Sequence, residues 1–76
     1  MEIQEFIENV ADQFDDTDVS EFYAETHFRD LEGWSSFLAL AIMAMIKSEY
    51  DVAITAQEMR DAETIQDLFD VVKSHC

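Results

Sequence analysis

The 76-residue chain sets eighteen acidic side chains against four basic ones, a formal charge of -14 with both histidines neutral. Arg29, Lys47, Arg60 and Lys73 are scattered and outnumbered, which argues against nucleic acid and against anionic membrane surfaces as partners. The length allows one small domain, residues 1–76, without room for a deep catalytic chamber, and 49% hydrophobic with 12% aromatic content separates the chain from disordered acidic sequences.

No proline and a single glycine leave few places for hairpin turns, so an all-α fold is expected. The lone Cys76 excludes an internal disulfide. Without a basic segment followed by an apolar stretch and cleavage site, the expected location is the cytoplasm. The longest apolar run, Phe37 to Ile46, has ten residues, short of the roughly 18 that mark a membrane span.

Ile3, Phe6, Ile7, Val10, Ala11 and Phe14 repeat at the spacing of one helix face, with Glu2, Glu5, Glu8 and Asp12 around the remainder. From Asp15 to Trp34 no period persists. Phe22, Tyr23, Phe28 and Leu31 are expected to fasten this segment to the core, with a short helical turn near Val19 to Tyr23. Its acids, Asp12, Asp15, Asp16, Asp18, Glu21 and Glu25, invite a calcium reading that fails in detail. An EF-hand loop begun at Asp16 puts Glu21 where glycine is needed and His27 where the bidentate Glu belongs. A solvated acidic loop is the simpler reading, and His27, His75 and Cys76 show no zinc spacing.

The next helix runs over 35–50, with Ser35 as its N-cap and Trp34 placed to pack back over the first turn. At 100° per residue, Leu38, Ile42, Ile46 and Tyr50 share one side, while Phe37, Leu40, Ala41, Ala44, Lys47 and Ser48 share the other. Both sides are largely apolar. So small a domain cannot enclose a helix all round, so the side with Lys47 and Ser48 is expected to be exposed for another molecule. After a connector, Asp51 to Ile54, Thr55 and Glu58 make a capping-box pattern opening a short helix to about Asp61. Thr64 caps a last helix with Ile65, Leu68, Phe69 and Val72 on one face and Lys73 near its negative end. Three long helices and one short one make a four-helix bundle.

Ser35 and Ser36, with His27 as base, are the sole start of a hydrolase site, and helix capping explains a serine pair at a helix start more simply. Gly33 is the only glycine, so neither a Gly-x-Ser-x-Gly elbow nor a phosphate-binding glycine loop exists.

The stretch Leu31-Glu32-Gly33-Trp34-Ser35-Ser36-Phe37, closed by Tyr50-Asp51, resembles the acyl carrier protein family, whose Gly-x-Asp-Ser-Leu motif opens the second helix. An aromatic-acidic pair commonly ends that helix in the family. Here Tyr50 lies fourteen positions after Ser36, the family's separation from its modified serine, which selects Ser36 over Ser35. Thr26-x-Phe28-x-Asp30-Leu31 is similar to the lead-in, and Val52-x-Ile54 and Thr64-Ile65-x-x-Leu68 to the remainder. The resemblance implies a freestanding, monomeric acyl or aminoacyl carrier that is not itself an enzyme. Its cofactor would be 4'-phosphopantetheine, joined to Ser36 by a phosphopantetheinyl transferase, with acyl-loading ligase or synthase enzymes as further partners. A phosphodiester there would lie at a positive helix N-terminus. By the same resemblance Ile54, Met59 and Ala62 flank the arm or its cargo.

Two positions depart from the family pattern. Ser35 stands where Asp usually precedes the modified serine; it can still cap the helix, but it removes a charge that transferases often read. Ala41, Lys47 and Ser48 replace the Glu residues that fatty-acid members carry on their partner-facing side, and no acid occurs from Gly33 to Ser48. Partner recognition is therefore expected to use Phe37, Leu40, Ala41, Ala44 and Lys47 in a dedicated pathway. The alternative reading is an unmodified helical interaction module docking through Phe37, Leu40 and Ala44, with an independent hydrolase third.

Overall fold

The computed structural model describes residues 2–14 and 18–75, all helix, turn and loop with no strand among them. Asp15, Asp16 and Cys76, which entered the metal readings, lie outside the described residues. Four α-helices form the bundle: α1 (Ile3–Ala11), α2 (Ser36–Tyr50), α3 (Ala56–Asp61) and α4 (Ile65–Ser74). Helix α1 packs on α2 and α4, and α3 packs on α4.

Each predicted cap forms where a short polar side chain can satisfy a free first-turn N–H. Ser35 Oγ accepts from the Leu38 N–H at 3.3 Å, and Thr55 and Thr64 build reciprocal capping boxes with Glu58 and Asp67. Helix α1 ends earlier than its apolar period. Past Ala11 the chain tightens into successive i to i+3 hydrogen bonds, and that turn still delivers Phe14 into the core.

Two single 3₁₀ turns, Val19–Glu21 and Phe28–Asp30, interrupt the long connection between α1 and α2. The first is the turn expected near Val19; the second has no periodic signature. Phe22 and Phe28 are buried and Leu31 is half-buried, but Tyr23 is 62% exposed and fastens nothing. Backbone does the rest of the anchoring. The Ile65 and Gln66 N–H groups donate to the Thr26 and Ala24 carbonyls, so the loop satisfies two donors that α4's first turn leaves open.

Aromatic rings divide the core into two ends. Phe6 contacts Tyr50 and Phe69 at one. At the other, Phe14 meets Phe22 and Trp34, and the Phe28 and Trp34 rings pack edge to face with centroids 5.4 Å apart. That second group pins the loop against the start of α2. Gly33 turns the chain into that start with φ of 92°, a left-handed conformation that suits glycine alone. At its far end α2 closes on Asp51, which adopts φ of 56° and returns its N–H to the Lys47 carbonyl. Tyr50 accepts from Asn9 Nδ2 at 2.9 Å, tying α2 to α1, and burial pushes its phenol pKa up.

Candidate functional site

Helix α2 has apolar residues on both sides, and the bundle covers only one. Ile42, Met45 and Ile46 are buried, whereas Phe37 is 77% and Leu40 64% exposed, with Ala44, Lys47 and Ser48 exposed and Ala41 half-buried beside them. The expected face is therefore on the surface. Lys47 is partly committed: its Nζ lies 3.1 Å from Asp51 Oδ1, a solvent-facing pair worth little energetically.

Ser36 is the first residue of α2 and is exposed. Ser35 takes the capping role, and among the described residues the Ser36 hydroxyl has no hydrogen-bond partner. The Ser36 and Phe37 N–H groups also lack a backbone acceptor among those residues, as expected for the first positions of a helix. An anion on Ser36 would thus meet two free donors at the positive end of a 15-residue helix. Serine chemistry of the hydrolase type has no support here. His27 stands at the N-cap position of the 3₁₀ turn at Phe28 without a side-chain capping bond and makes no hydrogen bond to either serine among the described residues.

An open cavity of about 370 Å³ adjoins Ser36 between α2 and α3. Trp34, Ala39, Leu40, Met43, Ala56 and Met59 give it apolar walls, and Arg29 and Arg60 supply its charge. Of the three residues expected to flank an arm or cargo, Met59 lines this space. Ile54 and Ala62 do not; both are buried in the core. Ile54 sits in the connector before α3 and Ala62 at that helix's C-terminal cap, positions the bundle uses for packing.

The sequence reading missed Arg29 and Arg60. Arg29 lies over the Phe28 ring, 5.8 Å from its centroid, and its guanidinium donates to the Arg60 backbone carbonyl at the end of α3. Arg60 Nη2 donates to Gln57 Oε1 at 3.1 Å. Neither guanidinium has a carboxylate partner among the described residues, although the chain holds eighteen acids. No group of three or more potential metal ligands occurs among those residues. Nor is any helix among them long and apolar enough to cross a membrane.

A group ester-linked through phosphate fits this arrangement: an accessible, uncommitted hydroxyl, an electropositive helix start, and an open, largely apolar cavity beside it. Comparison with known proteins agrees. Residues 4–72 match the family model described as a phosphopantetheine attachment site. No curated protein and no solved structure gives a significant match.

Proposed function

The chain belongs to the phosphopantetheine attachment-site family, whose members carry that group covalently, and from this premise we propose that it is an acyl or aminoacyl carrier modified on Ser36. Carrier domains are not catalytic; a separate transferase installs the arm and other enzymes act on what it holds. The observation that supports Ser36 most directly is its exposed hydroxyl, free of hydrogen bonds among the described residues, beside the cavity at the start of α2.

When bound, the arm supplies a thiol that holds an acyl or aminoacyl group as a thioester on a tether, raising its effective concentration at a docked enzyme. The protein's own residues divide the remaining work. Ser35 fixes the first turn, which leaves the Ser36 and Phe37 N–H groups as donors that would hold the phosphodiester. Trp34, Met43 and Met59 offer the arm an apolar wall. Phe37, Leu40 and Ala44, with Ala41 at their border, form the docking surface for the transferase and the loading and consuming enzymes. The lack of any acidic side chain from Gly33 to Ser48 makes that recognition apolar. The reading favours a dedicated pathway over a general fatty-acid synthase.

Intact-mass measurement after incubation with coenzyme A and a broad-specificity phosphopantetheinyl transferase tests it. The expected gain is one phosphopantetheinyl group, retained in Ser35→Ala and lost in Ser36→Ala. Labelling that persists in Ser36→Ala refutes the assignment. A complete lack of modification under conditions that convert an ordinary carrier returns the chain to an unmodified interaction module.

A further inference from the structure

We propose that Arg29 and Arg60 form a two-pronged clamp for the phosphodiester on Ser36, fixing the root of the arm and directing it into the cavity between α2 and α3. The inference rests on Ser36 as the attachment point.

Two of the chain's four cations line one cavity with Ser36, although 31 residues of sequence separate them. In a protein of charge -14 a guanidinium would be expected to find a carboxylate, and among the described residues neither does. Their existing bonds leave most donors open. A guanidinium has five N–H groups; Arg29 uses one bond on the Arg60 carbonyl, and Arg60 one on Gln57. Stacking on Phe28 and the tie to α3 also hold Arg29 in place, so an anion would find it already ordered. The remaining donors suit an anion. A phosphodiester on Ser36 is covalently held within the same cavity's reach, and arginine binds phosphate oxygens through paired N–H donors. Carboxylates on a cargo lie at the far end of a flexible arm and have no such constraint, so the phosphodiester is the occupant. The Trp34 indole, on the same wall, is the chain's only tryptophan and reports on what enters.

The test uses cargo-free holo protein whose modification on Ser36 has been verified by mass. In wild type, the ³¹P resonance of the phosphodiester is expected to be displaced from its position in the same protein unfolded in urea, with the displacement shrinking as salt rises. In Arg29→Gln/Arg60→Gln most of that displacement and its salt dependence are expected to be lost, leaving only the part due to the start of α2, and the apo-to-holo change in Trp34 emission is expected to shrink with it. Arg60→Gln alone keeps the backbone carbonyl that Arg29 uses, preserves the fold, and should lose about half of the displacement. If the double variant does not fold, that single variant decides the question. A displacement unchanged in folded variants, or none in wild type, overturns the clamp while leaving the carrier reading intact. Failure of Ser36 to gain the group overturns both.

Discussion

Phe28 and Phe37 lie nine positions apart at the junction of loop and α2, and truncating them should have opposite consequences. Phe28 is fully buried, its ring 5.4 Å from the Trp34 ring and covered by the Arg29 guanidinium. Removing a ring from such a site costs about 3–5 kcal/mol. At roughly 0.05–0.15 kcal/mol per residue, a 76-residue chain has a total stability of about 4–11 kcal/mol. With a urea dependence near 1 kcal/mol/M for a protein this small, Phe28→Ala should lower the unfolding midpoint by about 3 M or leave the chain unfolded in buffer. Phe37 is 77% exposed, so Phe37→Ala should change stability by no more than about 0.5 kcal/mol. Urea titration followed by far-UV circular dichroism and Trp34 emission measures both. A Phe28→Ala midpoint within about 1 M of wild type, or a Phe37→Ala loss matching it, refutes the division between core and docking surface.

Two further outcomes follow from the charges. Backbone N–H bonds from Thr55, aided by His75, hold the Glu58 carboxyl below the usual range, and those of Glu63 and Thr64 do the same for Asp67. A carboxyl with a lower pKa folded than unfolded stabilises fully above its unfolded pKa and stops doing so as pH falls through the folded value. Glu58→Gln and Asp67→Asn should therefore lower the Tm near pH 6 but not well below the ordinary carboxylate range of about 4; equal losses at both would contradict this. Raising ionic strength shortens the Debye length from about 30 Å at 0.01 M to about 8 Å at 0.15 M. The molecule measures 30 × 24 × 20 Å, so repulsion across it is screened and the apo Tm should rise by several degrees. A Tm insensitive to salt would show that the acids do not strain the fold.

Local features were the legible ones. Ser35, Thr55 and Thr64 announce helix starts because a cap needs only residues within one turn of chain. The exposed stripe of α2 could be read because periodicity showed more apolar surface than one small bundle can cover. Long-range pairing was not legible. Nothing near Arg29 in sequence points to the Arg60 carbonyl, and no periodicity marks the 3₁₀ turn that presents it. Tyr23 and Phe22 are adjacent and aromatic, yet the turn buries one and exposes the other. Ile54, Met59 and Ala62, placed beside the arm by resemblance, are all buried, and only Met59 also lines the cavity, a distinction that depends on how α3 closes on α4. For the serine pair, the cap and the free hydroxyl follow from which residue is first in the helix, a one-position distinction that the N-cap expectation for Ser35 anticipates.

Charge placement bears on how a chain of -14 receives its arm. The donor, coenzyme A, is itself strongly anionic, and eighteen carboxylates repel it at long range. Close to Ser36 the balance reverses. No acid occurs from Gly33 to Ser48, α2 directs its positive end at the serine, and Arg29 and Arg60 line the adjoining cavity. Of the other two cations, Lys47 is paired with Asp51 and Lys73 sits over the Phe69 ring at the end of α4. The two arginines without a carboxylate partner among the described residues thus line one cavity, where a phosphate on Ser36 would be accepted. The surrounding acids would attract a basic partner face from a distance, and the apolar Phe37 and Leu40 stripe would select it at contact. Two charge signs can serve one carrier because they act at different ranges: the net charge governs approach, and the local exception governs attachment.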